Sequence, residues 1–194
     1  MTKRIVLIQG HPDARAERFC HRLADAYAQA AQAAGHEVRR LVVAELEFPL
    51  LRTQQDYETG TPPPVIRECQ QAIDWAGHLV ILYPLWLGAM PALLKAFLEQ
   101  VLRPGFAYRL GDSGRMQKLL TGKSARIVVT MGMPAFFYRW YFGAHGVKNL
   151  KRNILGFCGI RPVKVSLFGM IEGASVARRR AWLERMRVLG REGN

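Results

Sequence analysis

The sequence lacks the short motifs that identify several common enzyme classes. No GxGxxG follows the first apolar run, which excludes the glycine turn that binds a dinucleotide pyrophosphate. The five histidines show no HExxH or zinc-ligand spacing, and residues 111–115, GDSGR, do not match GxSxG. Residues 122–124, Gly-Lys-Ser, match only the end of a P-loop, because Gln117 stands where a glycine is needed and a strand follows. Hydrolase and P-loop functions are therefore disfavoured, and no metal site is predicted.

Cysteine and long apolar runs are also scarce. The three cysteines, Cys20, Cys69 and Cys158, show no CxxC spacing, and an odd number argues against a disulfide framework. This usage predicts a reducing, cytoplasmic location. The longest uncharged apolar run, residues 79–94, is interrupted by two prolines and is too short for a membrane span. The apolar run after the N-terminal basic pair is too short for a signal peptide, so a soluble protein is predicted.

Acidic residues are few: 15 stand against 28 lysines and arginines, giving a net charge of +13. Such a charge suits nucleic acid or an anionic membrane surface. The basic residues are scattered, with dense groups at 39–40, 148–152 and 178–191, and no nucleic-acid recognition motif accompanies them. We interpret most of them as solvated surface, with attraction to anionic cofactors or lipids as the alternative. Nucleic-acid binding ranks last.

The chain is organised around residues 79–102, LVILYPLWLGAMPALLKAFLEQVL. The apolar run 79–83 predicts a strand that is covered on both faces. Pro91 suits a first helical position, and apolar residues then recur at helical spacing to Leu102. The apolar loop 84–90 lies between them, beyond the carboxyl end of a strand, where parallel α/β sheets bind ligands. We expect this loop to form a floor for a flat ligand.

The rest of the chain alternates strands and helices without a linker or an internal repeat, which predicts one domain over residues 1–194. We predict α/β architecture: a doubly wound five-stranded parallel sheet with helices on both faces, in the flavodoxin-like order 2-1-3-4-5. The other strands are predicted at 3–9, 36–43, 124–130 and 163–168, and the other helices at 19–31, 65–76, 147–158 and 175–191. Residues 45–64 and 131–146 are predicted to be loops, and residues 104–121 an irregular excursion or hairpin.

Four segments together resemble the flavodoxin-like NAD(P)H:quinone oxidoreductases: residues 10–13 (GHPD), 83–102 (YPLW with PALLKAFLEQVL), 103–108 (RPGFAY) and 130–132 (TMG). The resemblance implies a flavin enzyme, with FMN or FAD, that takes a hydride from NAD(P)H. It would pass two electrons to a quinone or similar acceptor by a ping-pong scheme. The positive charge favours NADPH, whereas nothing in the sequence separates FMN from FAD.

By the same resemblance, His11, Arg18, Phe19 and Cys20 belong to the segment that holds the flavin phosphate. Free N–H groups and the dipole at a helix start favour an anion there. The family usually has hydroxyl and amide side chains at the end of this segment, whereas this chain has Arg-Phe-Cys. Arg18 could replace the hydroxyl donors with a charge-assisted bond. The alternative for His11 is a loop residue that caps the helix.

The resemblance assigns two further segments to the isoalloxazine ring. The first is Pro84, Leu85, Trp86, Leu87 and Gly88, which would lie along the ring, although Trp86 could instead pack beneath the loop. The second is Thr130, Met131 and Gly132, whose backbone amides could donate to the pyrimidine edge, where negative charge develops on reduction. The family commonly has Thr-Thr-Gly-Gly at this turn, and the Met-Pro that follows Gly132 departs from that pattern.

Tyr138 and His145 match the positions of a catalytic Tyr and His in this family, and Tyr108 and Phe137 are assigned to substrate binding. A phenol donor and an imidazole would stabilise the reduced flavin. The alternative is that Tyr138 packs in the aromatic cluster 136–142 and His145 is a surface turn residue. That cluster is too apolar for open solvent, so it should line the site, a homodimer interface or a patch for peripheral membrane contact. A regulatory or binding subunit, for example of a membrane transporter, is the alternative function.

Overall fold

In a computed structural model that describes residues 1–111 and 114–194, a five-stranded parallel sheet forms the centre of the chain. Asp112 and Ser113, which belong to the GDSGR segment and to the predicted hairpin, lie outside the described residues. The sheet strands are β1 (Arg4–Gln9), β2 (Glu37–Val42), β3 (His78–Pro84), β6 (Ser124–Met131) and β7 (Val163–Gly169). Their order is β2-β1-β3-β6-β7, which confirms the predicted order 2-1-3-4-5 for the sheet strands counted alone.

Eight α-helices surround the sheet in the part of the chain that the structure describes. They are α1 (Phe19–Ala33), α2 (Gln54–Glu58), α3 (Pro64–Trp75), α4 (Ala92–Val101), α5 (Ala135–Trp140), α6 (His145–Lys148), α7 (Gly156–Cys158) and α8 (Val176–Glu192). A 3₁₀ turn at Val43–Glu45 follows β2, and a π-helical segment at Asn149–Leu155 joins α6 to α7. The central apolar runs became strands because both of their faces are covered: β1 and β3 are buried almost throughout.

Two apolar cores lie on opposite faces of the sheet. On one face, α1 and α8 cover Leu7, Val80 and Val128. On the other, α3 and α4 cover Ile8 and Ile81. The two covering helices of the first face meet closely, since a side chain at Gly190 of α8 would collide with the backbone of α1. This two-layer cover confirms the doubly wound arrangement.

Three local predictions need correction. Residues 45–64 and 131–146 are not entirely loops: they contain α2 and α5, which are short helices with weak sequence signals. Pro91 is the N-cap of α4 rather than its first helical residue. The prediction of a hairpin within residues 104–121 is confirmed, since β4 (Tyr108–Leu110) and β5 (Met116–Lys118) pair antiparallel.

Candidate functional site

The candidate site is the crevice where β1, β3 and β6 end side by side. β3 lies between the other two strands, so all three following loops leave the same edge of the sheet. Hydrogen bonds join the loops where they begin: the Gly10 amide donates to the Leu82 carbonyl (2.7 Å), and the Leu85 amide to the Thr130 carbonyl (2.7 Å). The three segments that the sequence assigned to a flavin therefore meet in one place.

Asp13 organises the loop after β1. Its amide donates to His11 Nδ1 (3.0 Å), and its carbonyl lies 2.7 Å from Nε2 of His21. Its carboxylate pairs with Arg15 and with Arg18, each at 2.6 Å. The hydrogen bonds from Arg15, followed by those from Arg18, hold the pKa of Asp13 far below its usual value. This role of Asp13 was not predicted, since in the sequence Asp13 is only one residue of a loop motif.

His11 accepts the Asp13 amide and is therefore unprotonated at Nδ1. Burial, with the nearby His21 as the next cause, lowers its pKa. His21 is fixed from below by Gln9, whose side-chain amide lies 2.9 Å from His21 Nδ1. With Nδ1 accepting, the neutral imidazole carries its proton on Nε2 and can donate one hydrogen bond to a ligand without adding charge.

The loop leads into the first turn of α1. Arg18 is the N-cap residue and makes no side-chain cap, and the Phe19 and Cys20 amides have no backbone partner among the described residues. Free amides and the helix dipole favour an anion. Both side chains point away from this position: Phe19 packs on Trp182 (5.9 Å between ring centroids), and the buried Cys20 thiol contacts the Thr130 side chain. Only their amides, with Arg18, remain for a ligand.

The loop after β3 presents a tight turn. The Trp86 amide donates to the Ala89 carbonyl (3.0 Å) and the Ala89 amide to the Trp86 carbonyl (2.9 Å). Leu87 and Gly88 at its tip both have positive φ, 47° and 77°, and the Leu87 side chain is fully exposed. Trp86 is half-exposed and meets the His11 ring edge-on at 6.4 Å, so it is not packed beneath the loop. Together these residues offer an apolar platform beside the loop that joins β1 to α1.

Tyr138 and His145 lie next to this turn, but the Tyr138 hydroxyl is already engaged in hydrogen bonds. Its ring is 1% exposed, and its hydroxyl donates to the Gly88 carbonyl (3.1 Å) while accepting from the Val147 amide (3.4 Å). A side chain at Gly146 would overlap the Gly88 carbonyl, so the two segments are in close contact. His145 is exposed and makes no side-chain hydrogen bond to the described residues. The Tyr138 side chain is therefore held in place by two hydrogen bonds, whereas the His145 side chain is accessible to a ligand.

The turn after β6 can offer only backbone groups. Thr130 and Met131 are buried, and their carbonyls accept from Leu85 (2.7 Å) and Ile171 (3.2 Å). Gly132 is exposed, and the space where a side chain would stand is open. Its amide has no backbone partner among the described residues. Gly132 is therefore the member of this segment that can approach a ligand most closely.

The two residues assigned to substrate binding lie apart from these contacts. Tyr108 hydrogen-bonds Tyr57 (2.8 Å between hydroxyls) and packs edge-on against Phe157 (4.8 Å between centroids), beside α4. Phe137 is 40% exposed and stacks on Tyr141 (4.8 Å). Tyr108 and Phe137 contact Tyr57, Phe157 and Tyr141 rather than the loops of the crevice. Their roles in substrate binding therefore stay predictions.

Two further observations concern the part of the chain that the structure describes. No group of three or more His, Cys, Asp or Glu side chains is placed to hold a metal ion. None of its helices has the length and apolar character needed to cross a membrane.

Comparison with known proteins places this architecture in a family. The chain is 30% identical over 184 residues to an uncharacterized NAD(P)H oxidoreductase of Haemophilus influenzae, covering 92% of this chain and 90% of that one. It is 37% identical over 89 residues to an FMN-dependent NADH:quinone oxidoreductase of Pseudomonas fluorescens, covering 46% and 42%. An NAD(P)H:quinone oxidoreductase structure from Methanothermobacter marburgensis superposes with a TM-score of 0.80 at 22% identity, covering 99% and 97%. The Flavodoxin_2 family, described by its flavodoxin-like fold, matches residues 3–188, and the chain belongs to that family.

Proposed function

We propose that the protein is a flavin-dependent NAD(P)H oxidoreductase that reduces a quinone or a similar acceptor. One observation carries the proposal: unpaired amides at the start of α1 and an apolar turn after β3 meet at the same edge of the sheet. An anionic tail and a flat aromatic ring need this combination. The names of the Haemophilus and Pseudomonas relatives support the same chemistry.

The residues of the crevice fit a flavin. The phosphate would be held by the Phe19 and Cys20 amides with Arg18, which would then share its guanidinium between the phosphate and Asp13. The ring would lie along the turn from Trp86 to Gly88, with the Gly132 amide at its edge. A bound flavin would accept a hydride from NAD(P)H and release two electrons to the acceptor in a separate, ping-pong step.

The protein's own contribution is positioning and charge stabilisation. Tyr138 holds the Gly88 carbonyl and thereby sets the orientation of the turn beneath the ring. His145 is exposed beside that turn and would supply a proton or a hydrogen bond where negative charge develops. Gly132 would donate its amide at the same edge without a side chain in the way.

Three further parts of the proposal concern the whole chain. Residues 1–194 act as one domain. The protein is a homodimer, to which the aromatic residues 136–142 and the helix at 91–102 contribute apolar surface, and the exposure of Tyr141 and Phe142 supports this choice. It works in the cytoplasm, a choice that the three unpaired, buried cysteines support.

Visible absorbance of the purified protein tests the flavin, and mass spectrometry of the released cofactor separates FMN from FAD. NADPH and NADH consumption with a soluble quinone then tests the reaction. We expect a yellow protein whose steady-state consumption of NAD(P)H is accelerated by the quinone. A colourless protein that does not take up added FMN or FAD would refute the proposal. A flavin-loaded protein without turnover would instead indicate a binding subunit.

A further inference from the structure

A long groove follows β7, which is the edge strand at the opposite end of the sheet from β2. It has a volume of about 1270 Å³ and lies between β7 and the segment from α5 to the π-helical turn. Six exposed basic residues line it: Arg139, Lys148, Lys151, Arg152, Lys164 and Arg185. No acidic residue is among the described residues that line it. The groove therefore carries uncompensated positive charge.

Arg126 adds a buried cation to the inner wall of this groove. It is 6% exposed, and one of its terminal nitrogens donates to Ser166 Oγ at 2.9 Å. Its Nε has no hydrogen-bond partner, and it pairs with no carboxylate among the described residues. A buried cation without an anionic partner is costly, so negative charge brought to the groove would be favoured.

The rim of the groove is aromatic. Phe136 and Trp140 are 68% and 80% exposed, and their spacing of four residues places them on one face of α5. In the same segment Phe137 stacks on Tyr141 and Phe142 packs edge-on against Phe137 (5.4 Å between centroids), so the segment carries further exposed aromatic rings. Exposed Trp and Phe beside Lys and Arg are typical of surfaces that sit at the boundary between lipid headgroups and acyl chains.

We propose that this face binds the surface of an anionic lipid bilayer, with the basic groove against the headgroups and Phe136 and Trp140 inserted between them. The described residues that line the groove are basic, aromatic, aliphatic or glycine. The basic side chains complement anionic headgroups, and the apolar side chains complement acyl chains. The inference goes beyond the proposed reaction and does not depend on a bound flavin.

Two other occupants fit less well. A second copy related by a two-fold axis would bring the same positive groove against itself, which like charges oppose. A nucleic acid would suit the charge, but no nucleic-acid recognition motif accompanies the basic residues of the sequence.

Vesicle co-sedimentation of the full chain tests the proposal. We expect binding to phosphatidylcholine vesicles that contain phosphatidylglycerol and little binding to phosphatidylcholine alone, with the difference reduced by salt. The pair Lys151→Gln and Arg152→Gln should lower the binding constant by about 25-fold, at roughly fivefold for each basic residue near the surface. The pair Arg52→Gln and Arg180→Gln removes the same charge from exposed positions outside the groove and should change binding little.

A second pair, Phe136→Gln and Trp140→Gln, separates insertion from charge attraction. It should remove the binding that survives at high salt while leaving the charge of the groove unchanged. Circular dichroism confirms that each variant is folded. Equal binding to neutral and anionic vesicles, or equal losses from the groove pair and the control pair, would overturn the proposal. So would tight binding of single-stranded RNA without vesicle binding, or self-association through the groove that the Lys151 and Arg152 changes abolish.

Discussion

Tyr138→Phe separates two possible roles of the hydroxyl at the candidate site. In the structure this hydroxyl donates to the Gly88 carbonyl (3.1 Å) and accepts from the Val147 amide (3.4 Å). Water can replace the hydroxyl at Gly88, which is exposed, but Val147 is buried and its amide would lose its partner. We expect a loss of about 1–2 kcal/mol in the free energy of unfolding. For a chain of this size that lowers the melting temperature by roughly 2–8 °C.

The catalytic consequences differ between the two roles. If the hydroxyl stabilises charge on the reduced flavin directly, flavin reduction slows by roughly tenfold to a hundredfold and oxidised-flavin affinity is nearly unchanged. If it positions the Gly88 turn, flavin affinity falls together with stability, and the reduction rate of the saturated protein changes by less than about tenfold. The structure favours the second result.

Stopped-flow reduction by NADPH, flavin titration and thermal unfolding measure the three quantities. His145→Gln is the matched comparison, because His145 is exposed and its loss should leave the melting temperature unchanged. It should slow flavin reduction and alter its pH profile. Wild-type stability with a large loss of reduction rate in Tyr138→Phe would refute the positioning role. Wild-type reduction by both variants would show that the two are packing and turn residues.

Three further results are expected. Gly132→Ala should leave the melting temperature unchanged, because the space for a side chain there is open. It should lower the flavin affinity measured by titration, because the methyl group would keep the flavin ring away from the residue 132 amide. An unchanged affinity would contradict a contact between this amide and the ring. Arg18→Ala should weaken flavin retention on gel filtration, more at high salt, whereas Arg15→Ala should not, and equal effects would exclude a specific phosphate contact. Burial lowers the pKa of His78 to about 4, so the neutral side chain stabilises the fold by about 3 kcal/mol at any pH above its pKa in the unfolded chain. This stability should be lost as the pH falls through 4. Denaturant titrations over this pH range should show a smaller loss for His78→Asn.

The sequence predicted the sheet and the edge at which the site lies. The reason is that residues 5–8 and 79–83 are apolar runs too short for helices, and a parallel sheet brings their carboxyl ends together. Short helices were missed: α5 lies in a segment of aromatic residues whose outer side chains stay exposed, so it shows no helical apolar period. Its formation depends on Tyr138 packing inward, which is a tertiary contact.

Inside the site, residue types were predictable and partners were not. Tyr138 was found by resemblance, but its partner Gly88 lies 50 positions earlier in the chain. Cys20 was assigned to the cofactor by position, whereas the helix turns its thiol into the core, where burial raises its pKa to about 12. Asp13 carried no signal, because its ion pairs depend on the loop conformation. Each miss concerns the direction of a side chain, which a one-dimensional pattern does not contain.

The positive charge shows the same limit on a larger scale. In the sequence the basic residues are scattered, which favoured a solvated surface. In the fold, Arg126 on β6, Lys151 in the π-helical turn, Lys164 on β7 and Arg185 on α8 meet along one groove, although they are spread over 60 residues of chain. Charges on separate elements raise the local potential only when packing brings them within about a Debye length, roughly 8 Å at physiological salt. Net charge alone therefore could not distinguish a dispersed surface from a binding face, whereas the basic groove along β7 and the exposed Phe136 and Trp140 at its rim can.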